Sequence, residues 1–188
     1  MLTTSRRGIL KNPISKAMTT FAIVTSILSL AIFAGFTAIS VRKFGWEKSY
    51  SSYSSLWPEA VPIHNANLWS IVTVISALLL VPAMVERGEG NAMQFLGFFA
   101  PMYLAVCGLT PTWQTEYEAR FIHFLGVAIC TLATLFWILY VCRLWWVLVI
   151  AVVLAGVAAY FTKTWKKSWV FWAEMAGFAA VYVSILIG

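Results

Sequence analysis

The chain contains no aspartate. That absence removes aspartyl dyads as a catalytic device, and with them the aspartate-rich sites that hold diphosphates through magnesium. Histidine is almost as scarce, with His64 and His123 the whole supply. A metal site would therefore need carboxylate help, for instance His64, His123 and one of Glu118 or Glu174, and no HExxH pair is present to anchor it. No metal site is expected. The three cysteines, Cys107, Cys130 and Cys142, form no CxxC pair and lie in or at the end of apolar runs. An odd count fits no disulfide framework, so they read as structural. The chain has no P-loop and no GxSxG. No lysine lies mid-run to form a retinal-type Schiff base, and no motif identifies a cofactor.

Charge is the other shortage. Only 11% of residues are charged and 61% are apolar, against about 25% and about 45–50% in a typical soluble domain. So much apolar surface must face something other than water. A helix of about 20 apolar residues spans the hydrocarbon core of a bilayer, and lipid is the partner this composition predicts. The net charge of +6 does not suggest nucleic acid, because the basic residues sit at the ends of apolar runs, where membrane proteins carry them.

Six apolar runs follow a basic tail over residues 1–16. They cover about 17–41, 68–85, 92–109, 119–141, 144–161 and 168–187. They are too long for strands and do not alternate as barrel strands do. The expected fold is all-α, a polytopic integral membrane protein with six transmembrane helices in one bundle. The first run is about 25 residues long, against about 7–15 for the core of a signal peptide, which predicts a retained helix. The fourth and fifth runs almost touch, and Arg143 between them predicts a tight helical hairpin. Pro101, four residues after Gly97, predicts a kink in the third helix, and Pro82 a milder one in the second. Gly126, Gly156 and Gly177 are expected to let helices approach closely. Tryptophans at the inferred interfaces read as an aromatic belt, and a short interfacial helix is expected around 52–59.

With the N-terminus inside, six basic residues fall on the cytoplasmic side and seven on the other, so the positive-inside count is silent. The cost of translocating a tail with Arg6, Arg7, Lys11 and Lys16, and the Ser-, Tyr-, Trp- and Pro-rich first loop, place both termini in the cytoplasm. Phe36–Trp46 and Phe136–Trp146 share Phe, Val, a basic residue and Trp at a constant offset, the only hint of an inverted repeat.

Ionisable residues in or near a bilayer are functional candidates by default. Six crossings put the first, third and fifth loops on one face. That face collects His64, then Glu116, Glu118, Arg120 and His123, then Glu174 in the second turn of the last helix. Glu116, Arg120 and His123 have i, i+4, i+7 spacing, and the stripe continues through Val127 and Cys130 with Thr131 and Thr134 nearby. A contact from Glu174 to Arg120 or His123 would bridge two helices. Against this stands the plain structural reading: a snorkelling Arg120, a hydrogen-bonded core His123 and a Glu174 paired with Lys166 or Lys167.

Two functions fit. One is a small transporter, channel or membrane-complex subunit with a one-sided polar vestibule, working as a homo-oligomer or within a larger membrane complex. The alternative is a membrane-embedded enzyme acting on a lipid or apolar substrate, with His123 as acid–base and Glu174 or Glu118 orienting it.

Overall fold

The computed structural model describes residues 13–57, 67–110 and 117–187, with side chains of the first helix from Thr20 onward. Among these residues the fold is all helical. The elements are α1 (Pro13–Phe44), a 3₁₀ helix (Tyr50–Ser55), α2 (Leu68–Arg87), α3 (Leu96–Leu109), α4 (Tyr117–Phe136) continued by a π-helical turn (Trp137–Cys142), α5 (Trp145–Phe161) and α6 (Trp169–Ile187). Among the described residues four spans are long and apolar enough to cross a membrane: Thr20–Phe44, Leu68–Arg87, Tyr117–Cys142 and Trp169–Ile187. The two shorter apolar helices, α3 with 14 residues and α5 with 17, measure about 21 Å and about 25 Å, short of a hydrocarbon core of about 30 Å. The outer surface of the helices suits lipid, since large apolar side chains such as Phe21 and Leu28 on α1, Phe124 and Leu132 on α4, and Val153 and Leu154 on α5 are exposed.

The helix ends follow from local chemistry. Gly45, at φ +78°, takes the left-handed conformation that stops α1, and its N–H bonds the Val41 carbonyl. Asn67 caps α2 by accepting the Trp69 N–H at 2.9 Å. Both prolines lie inside their helices, which run on past them.

Packing runs in chain order. α1 lies against α2, α2 against α3 and α3 against α4, while α5 and α6 form a separate pair that closes across α1. Glycine makes the central seams tight. A Cβ on Gly97 would collide with the Met84 carbonyl, and one on Gly108 would meet Val74 Cγ2 at 3.0 Å. A Cβ on Gly126 would meet Cys107 Sγ at 3.0 Å. Gly126 thus lets helices approach as expected. Gly156 and Gly177 do not: nothing stands within 4 Å of either. Hydroxyls hold the other side of the bundle. Ser29 Oγ on α1 donates to the Ser76 carbonyl on α2 at 2.7 Å and lies 2.8 Å from the Tyr182 hydroxyl on α6.

Three expectations need correction. The fourth and fifth runs do not form a tight hairpin. α4 ends in the π turn, Arg143 takes a left-handed conformation, and α5 departs to pack on α6. The two halves of the suspected repeat also differ, since Phe36 is buried and Phe136 exposed, and Phe136–Trp146 contains a π turn and a left-handed residue that Phe36–Trp46 lacks. The described tryptophans do not form a uniform belt. Trp145, Trp146, Trp165 and Trp169 are exposed as a belt requires, Trp46 and Trp172 are half-buried, and Trp57, Trp69 and Trp137 are buried. Each buried indole N–H finds a partner, Ser40 Oγ, the Tyr50 carbonyl and the Met84 carbonyl respectively.

Candidate functional site

The segment between α1 and α2 folds inward. Tyr50, Tyr53 and Ser54 of the 3₁₀ helix are buried, so this segment is a plug in the end of the bundle rather than a helix on its surface. Ser49 starts it by accepting the Ser52 N–H. The Tyr53 hydroxyl donates to the Gly45 carbonyl at 2.6 Å, and the Asn67 amide donates to the Ser54 carbonyl. Burial pushes the Tyr50 and Tyr53 phenols above their usual range.

Beneath the plug lies a cavity of about 330 Å³. Its walls come from α2, α3, α4 and α6, with Leu148 of α5 near the far end. From Trp69 to Met84 on α2, and from His123 to Ile138 on α4, the lining extends about 22 Å along the helix axis. Tyr50, Ser51, Trp69 and Glu174 stand at one end, Met84, Ile138 and Val181 at the other. α4 and α6 touch only lightly. Three residues lining the cavity, Val127 and Thr131 on α4 and Ala173 on α6, are themselves exposed. The cavity therefore opens sideways between α4 and α6, on the face where lipid would stand.

Of the candidate residues, the structure brings His123 and Glu174 to this one cavity. The stripe read from the sequence holds from His123 onward: Val127, Cys130, Thr131 and Thr134 all line the wall. Glu118 and Arg120 are exposed on the first turns of α4 and do not line it. His64 and Glu116 lie outside the described residues. Neither expected bridge from Glu174 forms. Its Oε2 accepts the Tyr50 N–H at 2.6 Å instead. His123 is buried, with Nδ1 3.2 Å from the Cys107 carbonyl. That carbonyl is one of the last in α3 and has no partner within its own helix, so His123 caps α3 from α4. Among the described residues, no three His, Cys or carboxylate side chains converge as metal ligands.

Sequence reasoning passed over Tyr50, Trp69 and Thr73, reading the first as loop and the second as belt. A signal was present: Trp69, Thr73 and Ser76 share one stripe of α2 at i, i+4, i+7 spacing, and hydroxyls on one stripe of an apolar helix mark its interior face. Thr73 Oγ1 is 3.5 Å from the Tyr50 hydroxyl. No known protein family, curated protein or solved structure matches this chain.

Proposed function

We propose that the chain is a six-crossing membrane protein in which local thinning of the bilayer matches the shorter α3 and α5, both termini cytoplasmic, of the small-transporter class, whose cargo is an amphiphilic molecule taken from the bilayer. The observation that carries this reading is the cavity between α2, α3, α4 and α6, apolar along its length, polar at the plugged end and open towards lipid between α4 and α6. One leaflet of hydrocarbon is about 15 Å deep, so a cavity lined over about 22 Å has room for a lipid-sized chain. The polar end supports the reading of a one-sided vestibule. Self-association, or a place in a larger membrane complex, would complete a pathway through so small a bundle. Against the enzyme reading, His123 is engaged with an α3 carbonyl and Glu174 with a backbone N–H, so neither carboxylate orients the imidazole.

The test is reconstitution into vesicles carrying a fluorescent long-chain amphiphile in one leaflet. Faster equilibration between leaflets than in protein-free vesicles, abolished by Gly177→Leu, supports the reading. A rate equal to that of protein-free vesicles contradicts it. If chemical conversion of the probe appears instead, and His123→Ala removes it, the enzyme reading replaces this one.

A further inference from the structure

The polar end of the cavity has a chemistry of its own. Glu174 presents a carboxyl group to it, and one oxygen takes the Tyr50 N–H at 2.6 Å. The other oxygen has no hydrogen-bond partner among the described residues. Among the described residues lining the cavity there is no lysine or arginine, and an unpaired carboxylate away from water is costly. Around it stand aromatic rings. Tyr50, Trp69 and Phe178 all line the cavity, with ring centroids 5.6 Å apart for Tyr50 and Trp69 and 6.0 Å for Tyr50 and Phe178. A carboxylate beside clustered aromatic faces attracts an organic cation through both charge and ring quadrupole.

We infer that the ligand is a single-chain amphiphile with an ammonium headgroup, the head held at Glu174 among Tyr50, Trp69 and Phe178, the chain lying towards Ile138 and Val181. This rests on the cavity being a ligand site, as proposed above, and adds the ligand's charge and direction. His123, Cys107 and Cys130 line the cavity as well.

The experiment uses the full chain in discs of zwitterionic lipid, with radiolabelled hexadecylamine displaced by four competitors of the same chain length: hexadecylamine, hexadecyltrimethylammonium, hexadecanol and hexadecyl sulfate. Protein-free discs supply the background. Both ammonium compounds are expected to bind about tenfold or more tighter than the alcohol, the scale of a hydrogen bond or contact to a charged group. Hexadecyl sulfate should bind weakest. Glu174→Gln keeps an oxygen for the Tyr50 N–H, so the plug stays in place, and it should erase the preference for ammonium over the alcohol. Equal affinity for amine and alcohol on the wild-type chain, or a preference that survives Glu174→Gln, overturns the headgroup inference alone. Gly177→Leu projects a side chain into the cavity from a position with nothing within 4 Å, and should weaken all four compounds together. If Gly177→Leu changes none of them, the cavity is not the ligand site and both proposals fall.

Discussion

Along the seams from α2 through α3 to α4, Gly97, Gly108 and Gly126 allow neighbouring helices into direct contact. Across the gap from α4 to α6, Gly177 faces open space. The same residue type closes one side of the bundle and leaves room on the other. What differs is the partner. Gly97 meets the backbone of Met84, near the end of α2, whose carbonyl also accepts the Trp137 indole N–H at 3.1 Å. Gly177 sits on a helix held elsewhere, by Tyr182 bonding Ser29 and by α5 packing behind it. In a membrane, apolar burial gives little drive to bring helices together, because lipid tails are as apolar as leucine. A cavity between α4 and α6 therefore costs less than the same void would in a water-soluble core, and close packing elsewhere can hold the bundle.

Variants can break this contrast. Gly97→Val should be the most damaging, since any Cβ there collides with the Met84 carbonyl. A loss of about 3 kcal/mol or more, the upper range for overpacking, should appear as a large fall in the thermal midpoint in detergent. A midpoint close to wild type would show that the α2–α3 seam is looser than described. Gly126→Val presses on Cys107 Sγ, a side-chain atom with some freedom to move, and should cost less, about 1–2 kcal/mol by the same measurement. Ser29→Ala removes a buried donor to the Ser76 carbonyl and a partner of Tyr182. That should cost about 1 kcal/mol, and a double-mutant cycle with Tyr182→Phe should show the two are coupled.

The expected pH effect is smaller, and it concerns the plug. Burial raises the phenol pKa of Tyr50 and of Tyr53. Below about pH 10, the ordinary phenol value, folded and unfolded chains are both protonated and these tyrosines contribute their full stability. As the pH rises above it, the unfolded chain ionises first, and stability falls until the folded phenols titrate. The midpoint should hold steady from neutral pH and drop above about pH 10, less steeply in Tyr53→Phe. An unchanged midpoint through that range would place both rings in contact with water.

The helices were legible in the sequence because they are long apolar runs. The second run begins at Leu68, as α2 does, and the sixth lies within a residue of Trp169–Ile187. α1 starts at Pro13, inside the basic tail, because nothing between Pro13 and Ala17 forbids a helix. α4 runs into a π turn that no run length reveals. Which faces turn inward was harder to read, for the same reason that the bundle tolerates a cavity. When both lipid and neighbouring helices accept apolar side chains, the interior face carries no excess of leucine to mark it. Only sparse polar groups mark it, and they pointed to His123 and Glu174. Tyr50 stayed hidden because its inward fold depends on Glu174, 124 residues away in sequence. The contrast between Gly97 and Gly177 was also hidden, since nothing local distinguishes a glycine against a carbonyl from one facing a void.

The most direct test sets two glycines against each other. Gly156 on α5 and Gly177 on α6 both have nothing within 4 Å, but only Gly177 lines the cavity. Replacing either by leucine should leave the thermal midpoint unchanged or raise it by up to about 1 kcal/mol in stability, as glycine gives way to a better helix former. Binding of a labelled long-chain amphiphile should then survive in Gly156→Leu and be lost in Gly177→Leu. If both variants bind like the wild-type chain, or both lose binding equally, the opening between α4 and α6 is not where the molecule meets its ligand.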